Sequence, residues 1–169
     1  MRMRIPLLCA GLLLAGAAIA APQDARTLPA DGPVSVSWND PAGFTEVRTS
    51  LDRAEALKGG WVRELATYLQ QEAADRLPAG ERLEIRIEDV RRAGDYVTNR
   101  APTRITSPLS APEIRLHYVR TDASGAVVAE GERTLKDLNY LAGPATRDRD
   151  PLRYEKRLID RWLRDLPSA

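Results

Sequence analysis

The stretch Arg82-Leu83-Glu84-Ile85-Arg86-Ile87-Glu88-Asp89-Val90 decides the fold. Leu83, Ile85 and Ile87 alternate with Glu84, Arg86 and Glu88. A period of two places one set on a buried face and the other in water, the pattern of a half-buried strand. A helical pattern precedes it and a hairpin pattern follows it. The rest of the chain is therefore read as packing around this strand.

On its N-terminal side, Trp61 to Leu77 reads as a helix. Trp61, Leu65, Tyr68, Leu69, Ala73 and Leu77 recur at three- and four-residue spacing and make one apolar stripe. Pro78-Ala79-Gly80 ends that helix and turns the chain into the strand. Before it, Thr49-Ser50-Leu51-Asp52 reads as a helix start, with Thr49 or Ser50 as cap and a short helix over Leu51 to Leu57. Gly59-Gly60 stops it. Val34-Ser35-Val36-Ser37-Trp38 alternates as a first strand, and Asn39-Asp40-Pro41 ends it.

On the C-terminal side, Arg91 to Pro112 is a long connection carrying Pro102, Pro108 and Pro112, with Thr103 to Thr106 as a short edge strand. Long ordered connections in compact domains are often functional. Glu113 to Arg120 alternates again, with Ile114, Leu116 and Tyr118 on one face. Thr121-Asp122-Ala123-Ser124-Gly125 carries hairpin chemistry, and Ala126 to Leu135 returns antiparallel. A second loop, Leu138 to Asp150, is centred on Gly143-Pro144. Asp150-Pro151 then opens a last helix, as cap and first helical residue. Its stripe is Leu152, Leu158, Ile159, Trp162, Leu163 and Leu166, with Glu155 as a charged exception, and Pro167 ends it. The order strand, helix, strand, strand, strand, helix predicts an α+β two-layer sandwich. The sheet is mainly antiparallel, of about four strands, with two main helices on one face. The first connection is a crossover. A single domain over 34–166 follows, after a flexible leader over 21–33.

Residues 1–20 read as a cleaved signal peptide. Arg2 and Arg4 precede an uncharged run from Pro6 to Ile19, and Ala18-Ile19-Ala20 is a small-x-small cleavage pattern. The run is shorter than the roughly 20 residues of a spanning helix. No transmembrane anchor is expected after cleavage, and the expected location is the periplasm. Cys9, the only cysteine, falls inside this segment, so the exported fold can form no disulfide. Removing Arg2 and Arg4 takes the 25 basic residues to 23 against 24 acidic ones, a net charge of −1. Mixed, near-neutral charge argues against a nucleic-acid partner. The sequence names no partner; another envelope protein is one candidate class.

The inventory for chemistry is thin. His117 is the only histidine, which excludes a paired-histidine metal site; it reads as an outward strand residue. No Gly-x-Ser-x-Gly elbow and no glycine-rich phosphate loop is present. No cofactor and no metal are expected. Carboxylates remain. Asp89 shares the alternation of Leu83, Ile85 and Ile87, so it either points toward the buried side or caps the strand end by bonding loop amides. Glu88 and Asp89, adjacent in a strand, are expected on opposite faces. The alternative to bonding loop amides is that Asp89 forms one half of a polar cluster with Arg104 or Tyr140. Asp137 flanks the second loop. Asp89, Arg104, Asp137 and Tyr140 are the candidate binding residues, and no catalytic residue is assigned. Arg91-Arg92 reads as solvated surface. Trp38, Trp61 and Trp162 read as core.

Several short motifs together resemble a known family. They are Trp38-x-Asp40-Pro41, Leu77-Pro78-x-Gly80, Asp89 to Ala93-Gly94, Asp122-x-x-Gly125, Leu135-x-Asp137, and Tyr154-Glu155-Lys156 with Trp162 after it. In order and spacing these resemble the exported proteobacterial family called domain of unknown function 3016 (DUF3016). Arg91-Arg92 departs from its pattern, which prefers an acidic and an aliphatic residue there. The resemblance implies export and a single domain, and carries no activity. Two functions remain open. One is a non-enzymatic periplasmic binding or envelope-accessory module. The other is a hydrolase or transferase using carboxylates and a tyrosine at the loop end of the sheet, around Asp89, Arg104, Asp137 and Tyr140.

Overall fold

The computed structural model describes residues 26–30, 32–97, 103–142 and 149–166. The signal segment, residues 21–25 of the leader, Pro102, the Gly143-Pro144 centre of the second loop and Pro167 lie outside the described residues.

The opening stretch forms β2 (Arg82–Arg91), one of the two inner strands of a four-stranded sheet. The order is β1 (Val34–Trp38), β2, β5 (Glu113–Thr121), β6 (Val127–Lys136). β1 runs parallel to β2, and the other pairings are antiparallel. Asp122 and Gly125 close the β5–β6 hairpin. The Gly125 N–H donates to the Asp122 carbonyl, and φ at Gly125 is +86°, which a side chain would strain.

Two helices carry the core. α3 (Trp61–Ala74) packs on β1, and α4 (Arg153–Arg164) lies beside it and contacts β5 and β6. Leu65, Leu69 and Ala73 meet Val34, Val36, Leu83, Ile85 and Ile87 in one apolar cluster, which Ile114, Leu116, Leu158, Ile159 and Trp162 complete. Fully burying each such Leu or Ile stabilises the fold by about 1.5–3 kcal/mol. The Tyr68 hydroxyl donates to Asp160 at 2.7 Å and ties the helices together. Trp38, Trp61 and Trp162 are all buried. The architecture is α+β.

Four features differ from the sequence expectation. Part of the leader is structured: Leu28 is buried, its N–H donates to the Val36 carbonyl, and Thr27 bridges Ser37. The outer edge of β1 is thereby covered over Val36 to Trp38. The short helix expected over 51–57 is α2 (Arg53–Leu57), and a second short helix that was not expected, α1 (Thr45–Thr49), precedes it. Asp52 is the cap of α2, accepting from the Glu55 N–H at 2.9 Å; Thr49 belongs to the end of α1, where its hydroxyl donates to the Thr45 carbonyl, and the Ser50 hydroxyl donates to the Asp52 carbonyl. The edge strand over 103–106 is β4 (Thr103–Ile105), and it pairs with β3 (Asp95–Val97) in a separate two-stranded ribbon.

Candidate functional site

The loop end of β2 is set by one extra residue. Ile87 pairs with Leu116 but Asp89 pairs with Arg115, so Glu88 is a bulge. A bulge puts two residues opposite one and reverses the facing of everything after it. Three expectations change for this reason. Asp89 leaves the face of Leu83, Ile85 and Ile87 and joins that of Arg115. Glu88 and Asp89 are not separated: both reach Arg115, at 3.6 and 3.7 Å. Arg92 is not surface but buried, because Val90 and Arg92 now point to the helix side.

Asp89 accepts from the Thr45 N–H and from the Thr45 hydroxyl, each at 2.6 Å. α1 has no capping side chain of its own, so a carboxylate from another strand caps it. Asp89 therefore bonds an amide, but of α1 rather than of the 91–112 connection. The cavity beside it, about 230 Å³, is lined by Thr45, Asp89, Arg91, Glu113 and Arg115 and by none of the other three candidates.

A buried ionic cluster lies on the other side of the bulge. Glu46, on α1, accepts from Arg92 at 2.9 Å and from Arg104 at 2.7 Å. Arg104 also donates to the carbonyls of Ala93 (2.8 Å) and Gly94 (2.9 Å). The Arg92 guanidinium stands 4.5 Å from the Trp61 ring centroid. Gly94 has φ of +78°, and a Cβ there would lie 2.4 Å from the Ile105 carbonyl oxygen, so the ribbon packs directly on backbone. From α4, Glu155 accepts the Ala93 N–H at 2.6 Å through one oxygen. Its other oxygen is buried and has no hydrogen-bond partner among the described residues. Burial raises the Glu155 carboxyl above its ordinary range, against the Ala93 N–H and the charges of Arg104 and Arg92. The cluster joins α1, the end of β2, the β3–β4 ribbon and α4.

The remaining candidates sit in the β6–α4 connection. The fully buried Tyr140 donates its hydroxyl to the Ser107 carbonyl (2.8 Å), accepts the Ser107 N–H (3.0 Å) and stands edge-on to Tyr154. Desolvation raises its phenol. Asp137 pairs with Arg161 at 3.0 Å and Arg157 at 3.6 Å, and Arg157 donates to the Tyr140 carbonyl. Asp137 and Tyr140 thus meet through Arg157. Arg104 belongs to the Glu46 cluster and Asp89 to the opposite face. Asp89 and Arg104 are not brought together. His117 faces outward, 3.4 Å from Glu130.

A groove lies where the helical cover stops. α4 shields β5, but no residue of β6 is fully buried. The inner face of β6 carries Ala129, Gly131, Arg133 and Leu135, opposite Arg120, Tyr118, Leu116 and Ile114. Between it and α4 is a space of about 280 Å³ over Tyr118, Leu135, Leu158 and Trp162. The outer edge of β6 pairs with no strand among the described residues, and, unlike β1 with its Thr27–Ser37 bridge, it has no isolated bridge either. Sequence reading missed Glu46, Arg92 and this groove; the charged break at Glu155 was the one visible signal.

A family model described as "Protein of unknown function (DUF3016)" matches residues 32–165. The chain belongs to this family. The DUF3016 match runs from the start of β1 through α4, so the bulge, the ionic cluster and the β6 groove all lie inside it. No curated protein and no solved structure matches the chain. Among the described residues no group of three or more His, Cys, Asp or Glu side chains is placed to hold a metal, and no helix is long and apolar enough to cross a membrane.

Proposed function

We propose that this DUF3016 chain is a non-enzymatic binding or envelope-accessory module, exported to the periplasm by removal of residues 1–20. The observation that carries the reading is β6, ten residues long, unpaired on its outer side among the described residues and only partly covered on its inner face. An open edge is a ready template for another backbone. Val127 and Val128 stand 57% and 47% exposed at its start, where the edge carries no charge. The polar side chains that chemistry would need are engaged in holding loops and helix ends, as Asp89 holds α1 and Tyr140 holds Ser107.

The test is in-cell photo-crosslinking from a reactive residue placed at Val128, compared with the same residue at Ser35 on the open sheet face. A discrete adduct from Val128 and none from Ser35 is the expected result. Adducts from Ser35 alone, or none from Val128, would remove the reading.

A further inference from the structure

We infer that the β6 groove takes an extended acidic peptide segment of a partner protein, added as a fifth strand antiparallel or parallel to β6. This rests on the module reading above and names its partner's chemistry. A strand laid on the free edge would send alternate side chains inward, into the space between β6 and α4. The floor there is Tyr118, Leu135, Leu158 and Trp162. The space, about 280 Å³, has room for a few side chains.

Charge decides which peptide. Arg133 lies on the inner face of an edge strand, exposed, at the β6 side of the groove that α4 walls on the other side. Its guanidinium stacks 5.3 Å from the Tyr118 ring centroid and donates to the Tyr118 hydroxyl at 3.2 Å. No carboxylate pairs with it among the described residues, whereas Lys136 and Arg161 on the same groove pair with Glu113 and Asp137. An inward charge on an edge strand guards against indiscriminate pairing. The same charge admits a strand that brings its own acid. An Asp or Glu at an inward position, flanked by apolar residues two positions away, would meet Arg133 while its neighbours fill the floor.

A second copy of this chain fits less well. A twofold β6–β6 pairing that keeps the sheet faces aligned pairs residues of like facing. Centred on 130, 131, 132 or 133, such a register sets Glu130 or Glu132 against a glutamate, or Arg133 against Arg133. Like charges directly opposite are destabilising, and these registers are the ones that use most of the strand.

The experiment screens a library of displayed random peptides against the whole mature protein, followed by backbone amide NMR with the enriched synthetic peptides. Enriched sequences are expected to alternate apolar and polar residues with an acid at an inward position. Shifts are expected on the β6 amides and the Trp162 indole. Arg133→Glu should weaken these peptides by about tenfold or more, as charge reversal in a partly desolvated pair does. Arg133→Gln should weaken them less, and melting curves of both variants confirm that they fold. Peptides that shift other surfaces, bind as helices or ignore Arg133→Glu would overturn the inference. So would dimerisation that Val128→Lys abolishes. A Val128 adduct in cells that survives Arg133→Glu leaves the module reading standing and removes the acidic peptide; loss of the adduct from the unaltered protein removes both.

Discussion

Replacing Glu46 probes the most tightly bonded group at the loop end of the sheet. Its carboxylate is 3% exposed and accepts five donors: Arg92 N, Nε and Nη2, and Arg104 Nη1 and Nη2, at 2.7 to 3.1 Å. Glu46→Ala removes both carboxylate oxygens, leaving the buried Arg92 guanidinium and amide without their acid and Arg104 with only the Ala93 and Gly94 carbonyls. Removing one partner of a buried ion set costs about 3–5 kcal/mol, because the charge left behind has no compensation. Against a typical domain stability of about 5–15 kcal/mol, that is a large fraction. Urea unfolding is the assay, with an unchanged slope showing that the same cooperative unit melts. Glu46→Gln keeps one oxygen and should lose less. Adding Arg104→Met to Glu46→Ala should restore part of the loss, with a coupling of about 0.5–3 kcal/mol. Amide exchange over β3 and β4 should quicken in Glu46→Ala, because Arg104 then loses its anchor to α1. A loss under about 1 kcal/mol, with no coupling to Arg104, would refute a buried and cooperative cluster.

Asp89→Ala should destabilise by about 1–3 kcal/mol through loss of the two bonds to Thr45, with Asp89→Asn milder, as read from denaturant melts; equal or higher stability in the alanine variant would contradict a structural cap. Glu155→Gln tests the buried carboxyl by pH. Its folded value is raised, so its favourable contribution is present below the unfolded value of about 4.3 and is lost as pH rises through the folded value. Stability of the wild-type protein relative to Glu155→Gln should fall over that rise, and parallel stability–pH curves would contradict it. The exported protein should begin near Ala21 with no lipid on Cys9, checked by intact mass; a mass retaining residues 1–20 would contradict export by cleavage.

Most of the sheet and both main helices were legible because each buries only one face. Alternation in Val34 to Trp38, Leu83 to Ile87 and Ile114 to Tyr118 needs no partner to be seen, nor does the stripe from Trp61 to Ala73. What failed turned on one residue. After Ile87 the alternation breaks twice, with acidic Asp89 at an inward position and apolar Val90 at an outward one. A single inserted residue repairs both breaks, and Glu88 is that bulge. Read this way, Arg92 turns inward and demands a buried acid. That acid, Glu46, lies in a five-residue helix too short to show a period. The groove was illegible for a different reason. It follows from how far α4 reaches across the sheet, which depends on helix placement and not on any residue of β6.

The central claim is that this protein works through the edge of β6 and not through its loop-end carboxylate and tyrosine. The most direct test is the yield of the Val128 crosslink in two backgrounds, Asp89→Asn with Tyr140→Phe and Arg133→Glu alone. Both groups of the first variant lie away from the groove, bonded to Thr45 and Ser107. The crosslink should persist in the first background and be lost in the second. Persistence in Arg133→Glu with loss in the Asp89/Tyr140 variant would contradict the claim and place the working surface at the loop end of the sheet.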